Sequence, residues 1–314
     1  MPRIINQALF FALFAVLTAS STASAKNYKH TLQGVALNAT VEKVQSLITN
    51  HCDSLELIEP ETVQFPLAEN TETHIVCTNF QTPDNQQIDE LTLSFADGRL
   101  VMIKAAGGAT SPILFNTNEQ TGSIAHLDIY DDMEIVLDPK NDTLWILNAD
   151  AQHAHAFLWS FAPNEQADEQ PEPQAADATI PAILVIGSKI NPLTKELKAL
   201  SQFTTRERIT PPSLPTQPKR QTQINCYGFN YAGAPRKLEA VFADGKLAMV
   251  WILTAQAEEQ RIYDALTAAY GNPVFTSDAV VAFNDWKVVL RKDKPEVLAI
   301  SDELVPMMKS FMGG

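Results

Sequence analysis

Two apolar spacings take turns along this chain. Val41, Val44, Leu47 and Ile48 fall on one face of a helix, and Leu193, Leu197 and Leu200 repeat that stripe later. Elsewhere the period drops to two, the spacing of a strand. Leu247, Met249, Trp251 and Leu253 share one side of such a strand, and Ala248, Val250 and Ile252 the other. At the centre of the strand pattern stands Phe95-Ala96-Asp97-Gly98-Arg99-Leu100, which returns as Phe242-Ala243-Asp244-Gly245-Lys246-Leu247. Asp-Gly between two such runs predicts a hairpin closed by a type I′ turn, because that turn needs positive φ at both central residues.

The duplication extends beyond the hairpin. Gly34 to Asn38 matches Gly187 to Asn191, Ile75-Val-Cys77 matches Ile224-Asn-Cys226, and Asp132 to Leu137 matches Asp285 to Leu290. Four blocks in one order, with drifting spacing, mean one ancestral domain copied in tandem. Each copy is expected to open with a helix, capped by Asn38 in the first and by Asn191 in the second, where Pro192 takes the first helical position. Strands are expected at Thr62 to Pro66, His74 to Phe80, Leu91 to Ile103, Ala125 to Leu137 and Thr143 to Asn148. Their second-copy partners are Gln223 to Tyr231, Lys237 to Leu253, Val280 to Leu290 and Glu296 to Ser301. A helix from Glu258 to Tyr270, stopped by Gly271 and Pro273, faces only a single turn at Ser111 to Phe115 in the first copy. Terminal helices are expected at Ala151 to Phe161 and Leu304 to Met312. The fold class is therefore α+β: two tandem repeats, each an antiparallel sheet with helices packed on one face.

Composition adds an address. The chain has 314 residues and a formal net charge of −14, which repels nucleic acid and anionic lipid. Residues 1–25 carry Arg3, an apolar run from Ala8 to Leu17 and Ala23-Ser24-Ala25, the three parts of a secretory leader. Cleavage near Ala25 would leave a periplasmic protein with no membrane insertion. The organisation expected is a leader (1–25), a first repeat (26–161), an acidic linker with prolines (162–180) and a second repeat (181–314). That linker holds Glu165, Asp168, Glu169, Glu172 and Asp177 with no aromatic residue, too little apolar surface to order itself.

Export makes a disulfide possible. Cys52 and Cys77 share a repeat, whereas Cys226 has no second cysteine in its own, so the expected pair is Cys52–Cys77. Closing that loop is worth roughly 3 kcal/mol in the chain-entropy account. Cys226 is expected to be a buried thiol.

The two Phe-Ala-Asp-Gly hairpins, with Leu266-Thr-Ala-Ala-Tyr270-Gly271-Asn-Pro273 at a helix exit, resemble the β-lactamase inhibitor protein fold. The single unit is similar to the small outer-membrane assembly lipoproteins of the SmpA/OmlA type. No lipobox cysteine is present, and each repeat is longer than that unit. The resemblance implies a sheet surface that binds another protein, without catalysis.

Candidate chemistry is sparse. Nucleophile-elbow, P-loop, dinucleotide-binding and His-Glu-x-x-His patterns are absent. His153 and His155, with Asp150 or His126, could suit a transition metal, but residues two apart on a helix point in different directions. His126 with Asp128, Asp131, Asp132 and Glu134 puts carboxylates near an imidazole, yet the second repeat keeps only Asp285 of that set. No metal, cofactor or catalytic residue is therefore assigned. Alternation from Cys226 to Tyr231 places Tyr227, Phe229 and Tyr231 on the sheet face away from the helix, and Trp251 joins them as a candidate binding residue. An apolar strand surface of this kind is also what packing between the repeats would produce. The function expected is a non-enzymatic exported protein that binds another envelope protein or a small ligand through its sheets. The alternative is an envelope hydrolase or metal-binding protein with a His/Asp site in the first repeat.

Overall fold

A computed structural model describes residues 32, 34–61, 63–83, 85–109, 120–159 and 177–312. The leader, linker residues 162–176 and the turn expected at Ser111 to Phe115 lie outside the described residues.

The fold is α+β, with two eight-stranded antiparallel sheets of the same topology. In the first repeat the strands are β1 (Ser54–Ile58), β2 (Glu72–Gln81), β3 (Gln87–Ala96), β4 (Arg99–Ala106), β5 (Gln120–Ile124), β6 (Leu127–Tyr130), β7 (Ile135–Asp138) and β8 (Thr143–Leu147). They lie in the order β1-β2-β3-β4-β8-β7-β6-β5, two meanders joined where β4 meets β8. The second repeat contributes β9 (Phe203–Ile209), β10 (Gln221–Tyr231), β11 (Ala234–Ala243), β12 (Lys246–Leu253), β13 (Phe275–Thr276), β14 (Val280–Phe283), β15 (Val288–Arg291) and β16 (Glu296–Ile300). Its order, β9-β10-β11-β12-β16-β15-β14-β13, is the same walk.

Alternation along the strands separates two apolar layers per sheet. On one face, the helix face, α1 (Val41–Ile48) buries Val44 and Ile48 against Cys77, Phe80, Leu93 and Phe95. In the second repeat α3 (Ile190–Ala199) and α4 (Glu259–Tyr270) share that face, through Leu193, Leu197, Ile262 and Leu266. On the reverse face, α2 (Ala149–His153) and the 3-10 turn Ala156–Leu158 cover the first sheet, and α5 (Val305–Met312) covers the second.

Both hairpins close as the Asp-Gly signal requires, with φ of 48° and 74° at Asp97 and Gly98 and of 48° and 82° at Asp244 and Gly245. Each aspartate then turns its carboxylate back onto the preceding loop. Asp97 accepts from the backbone N–H of Glu69, Asn70 and Thr71, and Asp244 from those of Lys219 and Arg220. A second duplicated device went unread in the sequence. Asp131, Asp132 and Met133 all have positive φ (46°, 54° and 76°), as do Asn284, Asp285 and Trp286 (47°, 52° and 74°). Three consecutive left-handed residues without glycine cost roughly 1–2 kcal/mol apiece. Keeping the turn in both repeats makes it architectural, and in each the carbonyl of the residue that follows receives a strand N–H, Leu147 to Glu134 and Ile300 to Lys287.

Several sequence expectations need correction. Neither helix starts at its asparagine: the first starts later and the second earlier. Thr40 caps α1 through the Lys43 N–H, and α3 begins at Ile190 after Lys189, with Asn191 and Pro192 inside its first turn. Asn38 instead sits at φ 65°, and its N–H bonds Leu100 O just as the Gly187 N–H bonds Leu247 O. Asn38 is thus equivalent to Gly187, not to Asn191. Residues 63–66 form no strand, while β1, β5 and β9 are additional strands. The first terminal helix is broken after His153, because His155 takes a left-handed conformation at φ 51°. Linker residues 177–180 are docked: Ala178 is buried, and its carbonyl accepts the Tyr231 hydroxyl.

Candidate functional site

The disulfide joins Cys52, at the end of the opening helix, to Cys77 on β2. Cys226, the equivalent of Cys77, is a buried free thiol whose pKa burial pushes up to about 12. That excludes ready thiolate chemistry near neutrality.

The aromatic residues proposed for binding divide into three environments. Tyr227 does lie on the reverse face, but the first repeat covers it. It stacks on Phe203 at 4.6 Å, with His155 at 6.0 Å, and joins a cluster containing Phe157, Trp145 and Trp159. Phe229 and Tyr231 lie on the opposite, helix face, in the core with Cys226 and Leu238. The expected alternation fails at Gly228. It sits at φ 69°, and the register between Cys226 and Phe229 shifts by one, so every later side chain changes face. A side chain added at Gly228 would strike Gln202, at 2.4 Å. Phe229 and Tyr231 are 3% and 2% exposed and offer a partner nothing in this fold. Only Trp251 keeps an accessible face.

Trp251 lines a cleft of about 390 Å³ on the reverse face of the second sheet, with Met249, Val241, Leu214, Met307 and Met308. Gln221, Gln223 and Glu239 supply its polar border. The Arg291 guanidinium lies 5.9 Å above the indole ring and is held by Asp293 and Glu296. Methionine and tryptophan together make an adaptable apolar surface.

The corresponding place in the first repeat is closed by a polar network that sequence reasoning missed. Glu72 accepts the backbone N–H groups of Gln64 and Phe65 with one oxygen, and its other oxygen lies 2.7 Å from His74 Nε2. His74 Nδ1 lies 3.0 Å from Ser94 Oγ. A serine, an imidazole and a carboxyl in a row have the connectivity of a hydrolytic relay. All three are 3% exposed or less, however, with the Phe65 ring edge-on over the imidazole, so no substrate reaches the hydroxyl. The only sequence signal was alternation, which puts Glu72, His74 and Ser94 on one sheet face.

The His/Asp set considered for the first repeat does not converge. His126 pairs with Asp138 at 3.4 Å, whereas Asp128 accepts from Gln120 and Asp131 and Asp132 build the left-handed turn. Burial acts to raise the Asp138 pKa, but hydrogen bonds from Asn141 and Lys140 outweigh it and hold the group below its ordinary value. His155 is buried and His153 exposed. Among the described residues, no three His, Cys, Asp or Glu side chains gather closely enough to hold a metal.

The junction between the repeats has its own lock. Arg236, 1% exposed, donates to Tyr231 O at 2.7 Å and grips both Glu258 carboxylate oxygens. Its guanidinium lies 4.9 Å from the Trp159 ring of the first repeat. Compared with known protein families, characterised proteins and solved structures, the chain matches none.

Proposed function

We propose that this is an exported, non-enzymatic binding protein, and that the Met/Trp cleft of the second repeat receives an apolar side chain of a partner protein. The supporting observation is the contrast at equivalent positions. Phe65 seals the first repeat over His74, whereas Leu214 and Gln223 leave the second open beside Trp251. A partner's apolar side chain would enter beside Leu214, which holds the place of Phe65 with a smaller side chain. The motif likeness to inhibitor-type sheet proteins agrees with this use of a sheet surface. Among the described residues, acid, base and nucleophile converge in no accessible place, which favours binding over hydrolysis.

The test is cross-linking in intact cells with mass spectrometry of what co-purifies. One dominant partner, lost in Trp251→Ser with an unchanged melting temperature, supports the reading. A partner retained at full yield by that variant overturns it. Tyr227→Ser is expected to lower the melting temperature instead, since its ring is buried between the repeats.

A further inference from the structure

A second cleft, of about 430 Å³, opens at the junction of the repeats and differs from the first in charge. Its floor is the reverse face of the first sheet, where Lys104 on β4 and Trp145 on β8 are cross-strand neighbours. Phe157 and Trp159 form one wall, and Phe203 of the second repeat closes the opposite side, held by its stack on Tyr227. Lys104 and Lys140 both border this space, and neither has an ion-pair partner among the described residues. Among the described residues of the lining, the one carboxylate is Asp138, which is engaged by His126 and by Asn141. Two ammonium groups beside an aromatic pocket, without an ion pair among the described residues, stand out in a chain of net charge −14. At the position of Lys104 the second repeat carries Trp251, so the cation distinguishes this cleft from the apolar one.

We propose that the junction cleft is a small-molecule site for an aromatic anion: a planar ring against Trp145, Phe157 and Phe203, with its carboxylate or sulfonate between Lys104 and Lys140. The volume lies within the range of ligand pockets, and a few polar groups around an aromatic lining are how such sites fix orientation. Pairing with an ammonium also gives the anion a charge-assisted hydrogen bond that a neutral ring lacks. The assignment does not depend on the Trp251 cleft.

The test uses the full-length purified protein and two fluorescent probes, 8-anilinonaphthalene-1-sulfonate and the uncharged N-phenyl-1-naphthylamine. The sulfonate is expected to bind with an affinity that falls as salt rises. Lys104→Gln with Lys140→Gln should weaken it by about tenfold or more, with the uncharged probe little changed. Lys104→Arg with Lys140→Arg, which keeps the charge, should restore most of the binding. Three results would overturn the proposal: no saturable binding of the sulfonate, equal weakening of both probes by the glutamine pair, or loss of the sulfonate with Trp251→Ser alone.

Discussion

Beneath Phe65 the first repeat holds Glu72, His74 and Ser94; beneath Leu214 the second holds Gln221, Gln223 and Val241 at the same three sheet positions. One task is common to both. Gln221 accepts the N–H groups of Ser213 and Leu214 through its side-chain oxygen, just as Glu72 serves Gln64 and Phe65. The neutral amide completes that task alone, and its neighbours are then free to form a cleft. The carboxyl needs a second partner, His74, which in turn meets Ser94, and the Phe65 ring covers the set. The duplicated fold thus tolerates two chemistries at one place, provided that the loop's backbone groups are satisfied.

His74→Ala should show the largest effect, about 3–5 kcal/mol of lost stability, because it strands one oxygen of a buried carboxyl. Gln223→Ala, at the half-buried equivalent, should stay within about 0.5 kcal/mol. Denaturant unfolding of the two variants measures the contrast, and equal losses would break it. A sharper version grafts one repeat onto the other: Glu72→Gln, His74→Gln and Ser94→Val together should recover most of the stability that His74→Ala forfeits.

A second contrast concerns the disulfide. Ser201 stands where Cys52 stands in the first repeat: its hydroxyl donates to Leu197 O, and the Cys52 disulfide sulfur lies 3.3 Å from the corresponding Ile48 O. The Cys226 thiol is within hydrogen-bonding reach of that hydroxyl, and the separation from 201 to 226 matches the 25 residues between Cys52 and Cys77. Ser201→Cys should therefore close a second disulfide spontaneously in air, raising stability by roughly 3 kcal/mol. Thiol counting under denaturing conditions, with melts in the presence and absence of reductant, reads both parts. A persistent pair of free thiols would show that the two helix–strand junctions are less alike than their hydrogen bonds indicate.

The Ser201 equivalence was hidden from the sequence because serine does not announce a vacant disulfide partner. What was legible followed local rules. Asp-Gly dictated the hairpins, apolar alternation the paired layers, and the cysteine distribution the bond. What failed depended on one residue acting at a distance. Gly228 reverses the face of Phe229 and Tyr231, and no period-two count can anticipate a bulge. The helix starts were misplaced because Asn38 is a good cap in isolation, yet the chain spends it on a left-handed turn before Thr40. The junction cleft was illegible for a broader reason: Lys104 and Trp145 meet Phe203 only after the repeats have docked.

The smallest contrast is one of pH. His155 follows α2 in the first repeat, buried between Phe157 at 5.8 Å and Tyr227 at 6.0 Å, whereas the second repeat's terminal helix buries the non-titrating Met308. Burial lowers the His155 pKa well below the ordinary histidine value, and the charges of Lys237 and His153 act in the same direction. Because the folded pKa is depressed, the unfolded chain binds the proton first as pH falls below about 6.5. Stability is then full above that value and declines below it, with a slope of at most about 1.4 kcal/mol per pH unit from this group. Glu296, whose pKa burial raises, works in the opposite sense as pH rises above its unfolded value, so the wild-type curve alone mixes the two. Subtracting the curve of His155→Asn isolates the histidine, since asparagine suits the left-handed backbone there and does not titrate. Unfolding measured from pH 7.5 to pH 5 should give a flatter curve for the variant. Parallel curves would mean that the imidazole is protonated within the folded junction, where the Lys237 ammonium, Tyr227 and Phe157 leave an added charge no partner.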